Sequence, residues 1–178
     1  RFHKNADRIF RVAQHVRWDG GDISQASTSA PFATALKAEF PEIEDATRIL
    51  LEGDGIIRYN NNSIQADDIL FVDANIFKIF SHTFIAGNPE TALSNPQAIV
   101  LTETLARKFF DDPQKAINQT IHFENNFPNT ITGIIKDVPE NTHLRFSALR
   151  SLPSDFTGGW QNFNVYTYLL LAEGTSYK

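Results

Sequence analysis

The chain has 178 residues, 16 basic and 21 acidic, a net charge of −5, and 42% hydrophobic against 21% charged residues. This is globular rather than disordered composition, and the length suffices to bury roughly 70% of the unfolded surface without covalent staples. With no cysteine, a disulfide framework, a thiolate metal site and a cysteine nucleophile are excluded; scattered basic residues argue against nucleic acid and against a polybasic lipid contact.

Residues 8–18 alternate as a strand, with Phe10, Val12, Gln14, Val16 and Trp18 as the expected buried face, until Gly20-Gly21-Asp22 breaks the pattern. Residues 30–40 read as a helix: Ser29 as N-cap, Pro31 in the first turn, Phe32, Leu36 and Phe40 on one face, and Pro41 as the stop. From 45 to 73 the pattern is β-rich. It predicts strands at 46–52, 56–59 and 63–72, with turns at Gly53-Asp54-Gly55 and Asn60-Asn61-Asn62. Asp73 is the expected cap of a short helix at 74–80, whose Ile76, Phe77 and Phe80 make an apolar stripe.

Gly87-Asn88-Pro89 reads as a turn, with a single helical turn to follow over 89–93. Residues 98–101 are wholly apolar and predict a central strand, followed by a helix over 103–110 capped by Thr102. With a strand at 120–124 they make a βαβ-like unit. Residues 125–129 are a loop, 130–138 a strand ended by Pro139, and 146–149 a further strand. The clearest strand is 160–171, with Phe163, Val165, Thr167, Leu169 and Leu171 on one face. Seams near 41–45 and 93–97 predict two subdomains, 1–44 plus 94–178 and 45–93.

The sequence names no catalytic, cofactor or metal residue. Its five histidines, His3, His15, His82, His122 and His143, show none of the close spacings of a zinc site. The acidic pairs Asp67-Asp68, Asp111-Asp112 and Glu42/Glu44-Asp45 read as solvated turns and helix ends rather than as paired catalytic carboxylates. No nucleophile elbow and no phosphate loop occurs. The Phe-rich stretch 76–84 reads as core rather than pocket. Gly158-Gly159-Trp160 reads either as a hinge with an anchoring ring or as a turn entering a strand. No segment reaches the ~20 apolar residues of a membrane span. The first residue is Arg1 and no signal peptide is visible, so the chain is read as a fragment or a processed form.

Several phrases occur in register: Phe2-His3-Lys4-Asn5-Ala6-Asp7-Arg8-Ile9-Phe10-Arg11-Val12; Asp73-Ala74-Asn75-Ile76-Phe77-Lys78-Ile79-Phe80 with Gly87-Asn88-Pro89 and Ala92-Leu93; Asn95-Pro96-Gln97-Ala98-Ile99-Val100-Leu101-Thr102-Glu103; and Thr132-Gly133-Ile134-Ile135-Lys136-Asp137-Val138-Pro139-Glu140-Asn141-Thr142-His143-Leu144. Together they resemble the extracytoplasmic (periplasmic) core domain of MacB/FtsX-like ABC transporter permeases over residues 2–172. The resemblance implies an α+β fold, a MacB-type periplasmic core domain with a βαβ-containing membrane-proximal subdomain and an inserted mixed α/β lobe. It implies a non-catalytic domain of an inner-membrane permease that couples cytoplasmic ATP hydrolysis to export, or to an envelope partner, by mechanotransmission.

The partners so implied are an ABC ATPase subunit on a separate chain or domain, a second permease copy as homodimer or heterodimer, and a periplasmic adaptor or carrier protein. No cofactor and no nucleic acid is expected. Asp111 stands where the family usually has glycine, and Asp suits the same turn. The family pattern continues past residue 178, which implies an open sheet edge here. Two other readings stand beside this one: an extracytoplasmic ligand-binding sensor domain, which predicts a pocket with convergent polar groups, and a hydrolase, which predicts a cleft of perturbed titratable residues.

Overall fold

The computed structural model describes residues 3–124, 126–139, 142–153 and 156–175, with the backbone alone at 51–54. Phe2, Asn125, Glu140 and Asn141, which enter the sequence expectations, lie outside the described residues.

The strand β8 (Ala98–Thr102) explains the architecture best. Four residues without a polar side chain before Thr102 can be buried on both faces, and all four are, with Thr102 buried after them. Ala98 and Val100 enter one apolar cluster, Ile99 and Leu101 another, so the sheet has a core on each side. Beside β8 lie β10 (Phe127–Ile135), parallel to it, and β11 (Ala148–Ser151), antiparallel to it. The helix α3 (Glu103–Arg107) makes the crossover between β8 and β10. Thr102 caps it as expected, its hydroxyl accepting from the Leu105 N–H at 3.4 Å. The parallel partner of β8 is thus β10; β9 (Thr120–Phe123) runs antiparallel to β10.

The sheet extends outward through β6 (Asn62–Val72), β5 (Ile43–Tyr59), β12 (Phe163–Leu171) and β1 (Ile9–Arg11); β7 (Phe84–Gly87) lies on the far side of β10. Ten strands form this sheet, with β4 (Thr28–Ser29) added beside β12 and β9 joining both β10 and β5. Among the described residues, the remaining two strands, β2 (Gln14–Trp18) and β3 (Gly21–Gln25), pair only with each other. Two short helices, α1 (Pro31–Glu39) and α2 (Ile76–Ile79), pack on β5.

Four expectations change. The expected turn at Gly53-Asp54-Gly55 is not a reversal. β5 runs straight through it, and the pairing with β6 shifts register on either side of Gly53. The extra residues are absorbed as a bulge, and the chain turns only at Asn60, which takes a left-handed φ of 52°. Gly55 is required there because a Cβ would collide with the Phe123 ring. Second, the strand expected over 8–18 is two: β1 joins the sheet, while β2 leaves it to form a ribbon, so Trp18 is 56% exposed instead of buried.

Third, two of the three expected helix caps, Ser29 and Asp73, do not act as caps. Ser29 is buried in β4, and α1 starts from Ala30 without a side-chain cap. The Asp73 carboxylate instead takes the Arg48 backbone N–H and two guanidinium N–H groups, at 2.7, 3.0 and 2.8 Å. Fourth, both faces of β12 are used: Val165 joins a small cluster, while Tyr168 and Leu170 enter the larger core from the face opposite Leu169 and Leu171.

Candidate functional site

Arg11 stands opposite Tyr168 where β1 pairs with β12, and Ile9 opposite Leu170. Cross-strand partners share a face, so the alternation of these two strands aims all four side chains at the same side of the sheet. Phe80, just past α2, packs edge-on against the Tyr168 ring at 5.0 Å. The segment after β10 carries His143, whose Nε2 lies 2.9 Å from the Tyr168 hydroxyl. The chain before β1 brings in His3, whose ring meets Phe80 edge-on at 5.0 Å and whose Nδ1 lies 3.3 Å from the Ser81 carbonyl. A carbonyl only accepts, so that nitrogen carries the proton. The Lys4 N–H donates to the Ser81 hydroxyl at 3.1 Å, so the N-terminal segment is pinned to the turn after α2.

Between these groups lies an open cleft of about 410 Å³. Behind it His82 sits 5.7 Å from His3, its ring edge-on to Phe77 and Phe146. Burial holds all three imidazoles below their ordinary pKa: His82 to about 4, with His3 adding to the effect; His3 downward despite the Ser81 carbonyl, which pulls upward, and further through His143; His143 downward also through Arg11. Burial pushes the Tyr168 hydroxyl up to about 12, although Arg11 opposes it. At neutral pH the cleft therefore presents one guanidinium, neutral imidazoles and a protonated phenol over an aromatic floor. Its lining contains no carboxylate, thiol or aliphatic hydroxyl. That arrangement can bind, and its lining brings no serine, threonine, cysteine or carboxylate nucleophile.

Among the described residues, no group of three His, Cys, Asp or Glu side chains is placed to hold a metal ion. His15, exposed on β2, contacts Ser24 and Asp22 at 2.7 and 3.2 Å, and His122 lies half-buried on β9. No spacing signals the meeting of His3, His82 and His143, which are 61 or more positions apart in the chain.

The acidic pairs serve structure. Asp112 caps a 3-10 turn at Pro113–Ala116, accepting from the Gln114 N–H at 3.0 Å. Asp67-Asp68 lies within β6 at its bulge rather than in a terminal turn, with Asp68 at a φ of 57°. Asp45 is not solvated at all: it is 5% exposed and takes Lys37, Lys78, Asn75 and the Ala46 N–H. Burial raises its pKa, but these donors outweigh that and hold it below the usual carboxylate range. The network ties both α1 and α2 to β5. The 76–84 stretch is core, as expected, with Ile76, Ile79 and Phe80 buried. Trp160 leans edge-on against Phe32 at 5.4 Å while remaining 57% exposed.

Among the described residues no helix is long and apolar enough to cross a membrane. A domain described as part of a permease protein from Porphyromonas gingivalis is similar in structure, at a TM-score of 0.86 and 24% identity, over 99% of this chain and 78% of that one. The periplasmic region of MacB from Actinobacillus actinomycetemcomitans is similar at a TM-score of 0.64 and 15% identity, over 84% and 67% of the two chains. The extracellular domain of the noncanonic ABC-type transporter YknZ from Gram-positive bacteria is similar at 0.57 and 12%, over 83% and 75%. At these identities the likeness is one of fold. No curated protein matches the sequence. The sequence profile of the MacB-like periplasmic core domain covers residues 1–178. This chain belongs to the MacB-like periplasmic core domain family of ABC transporter permeases.

Proposed function

We propose that this domain stands outside the cytoplasmic membrane on a permease anchored in it, and passes mechanical work from a partner ATPase to export or to an envelope partner. The ATPase is on another chain or domain, the permease works as a dimer, and an adaptor or carrier protein meets the domain on its outer side. The observation that carries the reading is the full-length family match on a chain whose sheet is continuous from β1 to β7. A lever must transmit displacement without absorbing it, and a hydrogen-bonded ladder with a packed core on each face meets that need.

The reading is tested in the full-length protein in cells. With any cysteines outside these residues replaced, Ser24→Cys, on the exposed ribbon, is expected to react with a membrane-impermeant maleimide before the cytoplasmic membrane is broken; residues 1–178 bring no thiol of their own. Deleting residues 3–175 is expected to leave basal ATP hydrolysis intact and to abolish ATP-driven export. Labelling only after lysis, or undiminished export, would contradict it. The cleft beside Tyr168 is the one observation that favours the sensor reading, and its occupant is a separate question.

A further inference from the structure

We infer that the cleft formed by His3, Ile9, Arg11, Phe80, His143 and Tyr168 binds a small amphiphilic carboxylate, a medium-chain acid with its head on Arg11 and its tail on the aromatic floor. Its volume of about 410 Å³ lies within the range of small-ligand sites, which are mostly apolar with a few converging polar groups. Ala6 and Ile9 form an apolar wall, and the rings of Phe80 and Tyr168 the floor.

Arg11 decides the sign of the ligand. Arg8, Arg48 and Arg107 are each in an ion pair with a carboxylate. Arg11 is exposed, lies over the Tyr166 ring at 5.6 Å, and makes no ion pair with any described residue. A carboxylate can meet its guanidinium with two parallel hydrogen bonds without breaking an existing pair. With no acidic residue in the lining, nothing repels that head. A cationic amphiphile in the same pose would set its head against the Arg11 guanidinium, and is repelled. The site stands whether or not the domain moves in a transporter.

The test uses octanoate, octylamine, inorganic phosphate and phosphatidylglycerol vesicles, added to the 178-residue chain and followed by calorimetry and by NMR of the histidine and tyrosine rings. Octanoate is expected to bind saturably and to shift His3, His143 and Tyr168 together, with octylamine silent and phosphate much weaker. Arg11→Gln is expected to weaken octanoate about tenfold or more, the worth of a hydrogen bond to a charged group, with thermal unfolding unchanged because Arg11 is exposed. Ile9→Asn, on the apolar wall, is expected to weaken octanoate but not phosphate. The inference is overturned by absence of saturation at ~10 mM octanoate, by equal affinity in Arg11→Gln, or by phosphate binding as tightly as octanoate. Capture by vesicles without octanoate binding would also overturn it, in favour of a membrane surface.

Discussion

Strand β8 and the β2–β3 ribbon are built from strands of the same five-residue length, yet they are opposites. Every residue of β8 is buried, between two neighbouring strands and two apolar clusters. The ribbon pairs only with itself, and leaves Trp18 and Ile23 56% and 47% exposed. Isolated two-stranded ribbons are marginal in water, whereas wide sheets with covered faces are stiff. The difference divides the molecule into a covered, doubly packed centre and an exposed ribbon.

The largest effect expected is at the doubly packed centre. Leu101→Ala, at a fully buried β8 position, is expected to cost about 2–5 kcal/mol, read as a lower urea midpoint at unchanged slope. A loss under about 1 kcal/mol would mean that β8 is not the rigid centre.

Acid comes next. The folded-state pKa of His82 is lowered from 6.5 to about 4, so in that window the unfolded chain binds a proton that the folded chain refuses. Stability should be flat above pH 6.5 and fall as the pH drops toward 4, by up to about 3 kcal/mol. His3 and His143 are shifted in the same direction. His82→Phe should shrink this loss in urea titrations at pH 7 and pH 4.5; an unchanged loss would remove His82 as its source. His15→Gln, on the ribbon, is the control.

Arg48→Ala strips the Asp73 carboxylate of its guanidinium and the Phe156 carbonyl of a donor at 2.8 Å. A loss of about 2–3 kcal/mol is expected, because the remaining carboxylate is part-buried and under-paired. The smallest effect should be Ile23→Ala on the ribbon, within about 0.5 kcal/mol. A larger loss there would erase the distinction between the two regions.

Local pattern was enough wherever a segment's own residues decide its state. The 98–101 apolar run, the Thr102 cap and the Asp112-Pro113 turn each have their determinants within a few positions, and each formed as read. Pattern failed where distant chain competes. Gly53-Asp54-Gly55 has turn chemistry, but β6 pairs on both sides of it and the ladder continues. Asp73 suits a helix cap, but its carboxylate is taken by the backbone N–H and guanidinium of Arg48 from the neighbouring strand. The alternation over 8–18 is real; its break at Val12, whose N–H goes to the Thr167 carbonyl at 2.9 Å, depends on how β1 and β4 share one edge of β12. The cleft was illegible for the same reason. His3 and His143 stand in separate phrases that carried the family resemblance, and nothing in either says that they meet.

The proposed function requires a domain that moves as one body. The most direct measurement is electron–electron spin distance in the full permease with its ATPase in nanodiscs. One pair of labels sits at Glu39→Cys and Lys115→Cys within a domain, and one label at Ser24→Cys in each protomer; all three positions are exposed. Trapping ATP is predicted to leave the 39–115 distance unchanged while the Ser24-to-Ser24 distance shifts between two values. A changed 39–115 distance, or a Ser24 separation indifferent to ATP, would contradict it.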